Sequence, residues 1–280
     1  MWSVYSVRVL PEPLWVNICF TLFYFVAMKK LDEETIIVFK INSKRRFEGE
    51  IVSDNDIIDK ALDFAYEMCF GKGHHRDHRS DGTHNRKAGE IFCNTFQGKL
   101  AEACLCTVLQ KKGVECHEPN FDVHGKGVWD NFDLNIGDKY LSVKSTKFYS
   151  NLLLLEKRDY NSLGDYLPNA SLKNKKDYNY IILVRINPIL DSIFGEKRLL
   201  KSDYIKRETI EEIIGAETWK FDIAGWVTKD EVRQAIKNGQ FLSKGKLLQN
   251  INTSMDADNY YIQTGDMHNL DELIKELKNK

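Results

Sequence analysis

The sequence predicts an α/β (α+β) chain built on one central mixed β-sheet flanked by helices. Three observations carry that expectation. Residues 177–187, DYNYIILVRIN, contain an unbroken apolar run of the kind found in a strand buried on both faces. Segments 53–70 and 95–112 repeat apolar residues at helical spacing. Residues 132–146, FDLNIGDKYLSVKST, alternate apolar and polar side chains on both sides of a Gly-Asp pair, as a hairpin does. Helices and strands follow one another without strict alternation, so a mixed sheet is expected rather than a fully parallel one.

The chain has 280 residues, enough to bury a sizeable core, and 29% of them are charged, which excludes a multi-spanning membrane protein. Net charge is −1, so any polyanion must be met by a local basic face rather than by the whole molecule. The six cysteines show no C-x-x-C pair, a usage that fits a reducing cytoplasm without disulfides. The apolar run Leu14–Ala27 has 14 residues, short for a membrane span, and no small-residue cleavage site follows it. Residues 1–27 are therefore read as an upstream extension ahead of a soluble start at Met28, with a membrane tether as the alternative. No stable membrane association is expected. Residues 28–280 are read as one domain, with its core at about 53–227 and a closing strand and helix beyond.

Taken in order, Ser53–Phe70 forms the first helix, with Ser53 or Asp54 as cap and Ile57, Ile58, Ala61, Leu62, Ala65 and Met68 facing inward. Residues 71–89 carry Ala88 as their sole apolar side chain and read as a loop. The second helix runs from Thr95 to Lys112, with Gly113 as its C-cap. The hairpin follows, then an apolar run at 152–161 and a lysine-rich loop at 165–176. Pro188 ends the buried strand. A strand at 219–227 leads into the helix TKDEVRQAIKNG, and NYYIQ and LDELIKELKNK close the chain.

If Gly137-Asp138 is a two-residue turn with glycine first, Asp133 faces Ser142 and Asn135 faces Tyr140. Asp133, Asn135, Ser142 and Lys144 then share one face, while Phe132, Leu134, Ile136, Leu141 and Val143 form the other. Lys144 lies diagonally across from Asp133, within reach of a long side chain. A carboxylate at a sheet edge can hold Mg²⁺, which polarises a phosphate and lowers the pKa of a bound water. A neighbouring ammonium can orient that water or offset charge on phosphorus. The same two groups also suit an ordinary solvated pair worth under about 1 kcal/mol.

Asp133 followed after nine residues by Ser-Val-Lys-Ser-Thr resembles the PD-(D/E)XK nuclease superfamily, which includes many type II restriction endonucleases. The helix FQGKLAEACLCTVLQKKG is similar to that family's preceding helix, and Glu102 is the residue matching its metal-reaching glutamate. The buried strand, the IAGWV segment with its helix, and NYYI look like later elements of such nucleases. The resemblance implies a restriction-endonuclease-like fold and Mg²⁺-dependent cleavage of double-stranded DNA. It further implies a homodimer and a cognate DNA methyltransferase as companion. Asp133 would be the main metal ligand, Glu102 an auxiliary one and Lys144 the catalytic cation. Ser142 stands where the family has an acid, so a carboxylate must come from elsewhere; Glu102 is the first candidate and Asp130 the second.

The loop at 72–87 holds five Lys or Arg against two Asp, a fixed charge of +3, together with His74, His75, His78 and His84. Arg76, His78, Arg79, Arg86 and Lys87 are the expected DNA contacts, since arginine pairs with phosphates and reads guanine. A solvated loop, or a zinc site using His74 and His78, is the alternative. Lys147 and Tyr149, just past the Lys144 strand, are further candidates for DNA contact.

Overall fold

The computed structural model describes residues 28–71, 86–122, 133–168, 177–249 and 251–278. Short strands β1 (Asp32–Glu33), β2 (Val38–Lys40) and β3 (Glu50–Ile51) precede the helices α1 (Asn55–Phe70) and α2 (Ala88–Lys111). The hairpin β4 (Leu134–Ile136) and β5 (Lys139–Lys147) leads to β6 (Leu152–Glu156) and β7 (Tyr180–Asn187). Helices α3 (Leu190–Glu196) and α4 (Arg207–Gly215) come before β8 (Lys220–Thr228) and α5 (Lys229–Lys237). The chain closes with β9 (Phe241–Leu242), β10 (Leu247–Leu248), β11 (Ile251–Ser254), β12 (Asn259–Gln263) and α6 (Leu270–Lys278).

The expected mixed sheet is present, in the order β3-β8-β7-β5-β4, with β5 and β7 parallel and the other pairs antiparallel. β7 is buried from Tyr180 to Ile186 because both of its faces are covered, which explains its continuous apolar run. On one face Leu141, Val143, Ile182, Val184 and Trp226 pack beneath α1, α2, α3, α4 and α6. On the other, Ile181, Leu183, Ala224 and Val227 meet β6, β12 and α5 through Leu153, Leu155, Ile262, Val232 and Ala235. Two smaller sheets, β6-β12-β9 and β1-β2-β10-β11, were not foreseen beside the central one.

Local chemistry sets the helix ends. Asp54 caps α1 by accepting from the Asp56 amide. Gly113, at φ +77°, closes α2. Val114 N–H donates to Leu109 O at 2.9 Å and Gly113 N–H to Gln110 O at 2.9 Å, the paired bonds of a Schellman turn. Thr228 and Glu231 form a capping box at the start of α5. α2 begins seven residues earlier than its sequence suggests. Lys87 gives it no side-chain cap; instead Gly89 N–H donates to Ser202 O (3.0 Å) and Glu90 N–H to Leu200 O (3.1 Å). Phe92 then stacks on Phe194 of α3, ring centroids 5.7 Å apart. Tertiary carbonyls therefore do the work of a cap.

Among the described residues no helix is long and apolar enough to cross a membrane. The apolar run at 14–27 lies outside them. Cys69, Cys93, Cys104, Cys106 and Cys116 are free thiols.

Candidate active site

The hairpin adopts the register expected from its turn: Leu134 pairs with Leu141, Asn135 with Tyr140 and Ile136 with Lys139. Gly137 sits at φ +60° and Asp138 does not share that left-handed conformation, matching a turn with glycine first. The ladder turns aside at Asp133, whose N–H reaches Leu141 O at 3.2 Å. Its carboxylate then becomes the acceptor: Oδ2 takes the Val143 N–H at 2.6 Å and the Ser142 hydroxyl at 3.3 Å. The structure thus brings Asp133 and Ser142 together. Oδ1 accepts no hydrogen bond among the described residues.

Lys144 lies one pleat beyond Ser142, facing the same way. Its ammonium does not close on Asp133 but stands over the Tyr166 ring, 5.5 Å from the centroid. Val143 N–H holds the carboxylate back, and the π-face of Tyr166 attracts the cation instead. Tyr166 forms an isolated bridge with Tyr160, and the two rings are 5.4 Å apart. Burial raises the Tyr160 phenol well above its ordinary value of 10, with Asp133 among the charges adding to the shift. Nearby, Lys229 Nζ lies 2.5 Å from both Asp165 and Asp177, and the bond from Lys229 helps hold Asp165 at about 2.

Glu102 is not brought into this group. It is 8% exposed on α2, the helix that covers the opposite, apolar face, and it pairs with Lys99 at 2.7 Å. Among the described residues no three His, Cys, Asp or Glu side chains converge as a metal cluster. Of the expected DNA contacts, Lys87 bonds Asp203 at 2.9 Å, Lys147 lies 3.5 Å from Asp191, and Arg86 is half-buried just before α2. Asp130, Arg76, His78 and Arg79 fall outside the described residues, as do His74, His75 and His84. Tyr160 and Tyr166 went unrecognised in the sequence, where neither sits in a periodic pattern pointing at the hairpin.

One oxygen of a carboxylate, a hydroxyl and an ammonium thus share one face near β4, the edge strand of the sheet among the described residues. That set can hold a hard cation weakly and stabilise an anion beside it. No family model, no curated protein and no solved structure matches the chain.

Proposed function

We propose that the chain is a Mg²⁺-dependent, sequence-specific endodeoxyribonuclease that hydrolyses phosphodiester bonds of double-stranded DNA, in the manner of a type II restriction enzyme. The observation carrying this reading is the common face of Asp133, Ser142 and Lys144 at the β4–β5 edge of the mixed sheet. Mg²⁺ is often held by one or two carboxylates, with substrate phosphate and water completing six oxygens. Asp133 meets that minimum through Oδ1; Glu102, the auxiliary ligand that the resemblance implies, pairs with Lys99 away from this face, so the ion would rest on Asp133, phosphate and water. When bound, the ion would polarise the phosphate and acidify a water.

The chain's own groups have separable tasks. Ser142 and the Val143 amide hold the Asp133 carboxylate in one orientation. Lys144 supplies a positive charge for the non-bridging oxygens as negative charge builds on them. Cutting both strands needs two such sites, so a homodimer belongs to the proposal, as does a companion methyltransferase. The free thiols suit a cytoplasmic setting.

The test is digestion of plasmid and phage DNA by the full chain, with Mg²⁺ and with EDTA, alongside Lys144→Ala and Glu102→Ala. Discrete fragments that need Mg²⁺ and disappear with Lys144→Ala are the expected result. Smearing without discrete bands would remove sequence specificity from the proposal.

A second reading is a nuclease fold that binds DNA without cutting it. Two observations favour it: Ser142 occupies the acidic position, and Asp133 Oδ2 is already engaged by Val143 and Ser142. Salt-sensitive DNA binding with no cleavage in any divalent ion selects this reading over the first.

A further inference from the structure

The far end of β5 carries a second surface that the hydrolytic chemistry leaves unused. Residues 41–48 form an alternating strip beside it: Ile41, Ser43, Arg45 and Phe47 turn partly inward, while Lys44, Arg46 and Glu48 are exposed. The strip is held by a buried cation. Arg185, 1% exposed, donates to Arg45 O at 2.9 Å, Arg46 O at 2.9 Å and Ser150 O at 3.4 Å. The Arg45 N–H donates in turn to Asn151 Oδ1 at 3.1 Å, so residues 45–47 lie against the turn after β5.

Aromatic rings continue the contact. Phe47 meets Phe148 at 5.8 Å, and Phe148 meets Tyr149 at 5.4 Å with the ring planes 77° apart. A T-shaped contact occupies at most one face of Tyr149, which remains 47% exposed. Neither Lys44 nor Arg46 is in an ion pair among the described residues. Lys147 is spoken for by Asp191, and the carboxylate of Glu48 limits the cationic stretch to residues 44–46.

An exposed ring, joined through Phe148 and Phe47 to a strip that carries two cations outside any ion pair among the described residues, is the chemistry that binds a nucleic-acid strand through base stacking and phosphate contact. The bases of an intact duplex hide their faces against one another, so a ring of this kind needs a base that has left the stack. We infer that Tyr149, Lys44 and Arg46 bind a stretch of unpaired DNA, with Tyr149 stacked on a base and the two cations on neighbouring phosphates. The inference rests on the nuclease reading for the choice of DNA. Tyr149 follows Lys144 by five positions, two of them beyond the end of β5, so the two surfaces adjoin along one strand and its turn.

The experiment is fluorescence anisotropy in EDTA, which prevents cutting, using labelled oligothymidylate and a blunt duplex as probes. Tyr149→Ala should weaken oligothymidylate binding by about 5- to 150-fold, and Tyr149→Phe should preserve it. Lys44→Ala and Arg46→Ala should each reduce the salt slope by about 0.7. Duplex affinity should not respond to Tyr149→Ala. A wild-type chain that ignores oligothymidylate, an unchanged affinity for it in Tyr149→Ala, or equal losses on both probes would each overturn the inference. Thermal melts of the variants exclude misfolding as the cause. The two proposals fail separately. A chain that cuts DNA in Mg²⁺ but is indifferent to Tyr149→Ala loses the ridge alone. One that stacks through Tyr149 but never cuts loses the nuclease reading alone.

Discussion

Replacing Arg185 by methionine removes the most fully satisfied charge in the described structure while keeping most of the side chain's volume. All five guanidinium donors are used: Nε and Nη2 grip Asp222 at 2.8 and 2.6 Å, and the rest reach the carbonyls of Arg45, Arg46 and Ser150. Asp222 stands directly across from Arg185 in the β7–β8 ladder, and its side chain is only 10% exposed. Arg185→Met leaves that carboxylate charged with little water to replace its partner, and deprives three carbonyls of a donor. Breaking a buried pair from one side costs about 3–5 kcal/mol. For a chain of this size that corresponds to a melting point lower by about 6–20 °C. Circular dichroism melts and urea titration measure both quantities. Adding Asp222→Leu should recover part of the loss, since an apolar pair leaves no stranded charge, although the carbonyls stay short of a donor. Arg185→Met within about 1 kcal/mol of wild type would refute this account of the clamp.

Three further predictions follow from single sites. Asp133→Asn keeps an oxygen acceptor for the Val143 amide but loses the charge, so DNA cleavage should vanish while stability stays within about 1 kcal/mol; persistent cutting removes Asp133 from the proposed chemistry. His268 is held between Glu231 Oε1 at 2.6 Å and Glu272 at 3.4 Å, and the bond to Glu231 raises its pKa above the ordinary 6.5. A raised folded-state value adds stability that is complete below the unfolded pKa and lost as pH rises through the folded one. Urea midpoints should therefore fall on going upward from pH 6.5 in wild type and flatten in His268→Phe, and parallel pH profiles would count against the linkage. At Gly89 an added Cβ would lie 2.2 Å from Leu199 O and 3.0 Å from Leu200 O, so Gly89→Ala should destabilise by at least about 1–3 kcal/mol; a neutral result on melting would mean that the start of α2 can shift freely.

What could be read along the chain depended on how far each element imposes its own period. α1, β7, β8 with α5, β12 and α6 all fall where apolar spacing and caps place them, because each buries a side set by its own repeat. β1, β3, β9 and β10 have two residues each, too few to show any alternation, and exist only through their partners. The helices α3 and α4 went unread between Pro188 and Trp219, and neither has a side-chain cap to announce it. The start of α2 was hidden for a related reason: the carbonyls that cap it belong to residues 200 and 202.

The sequence by itself determined the hairpin: which residue faces which, and that Asp133, Ser142 and Lys144 share a face over an apolar reverse. A two-residue turn sets the register, and a slip by one residue would expose every apolar side chain, so local chemistry leaves one answer. Only the tertiary structure decided what meets that face. It put Tyr166 under Lys144, Glu102 in a pair with Lys99, and the Arg185 guanidinium on the carbonyls of residues 45 and 46. Apart from the Glu102 pair, these contacts join segments far apart in the chain. Their partners are selected by packing and by the need to satisfy buried charge, neither of which leaves a local pattern to read.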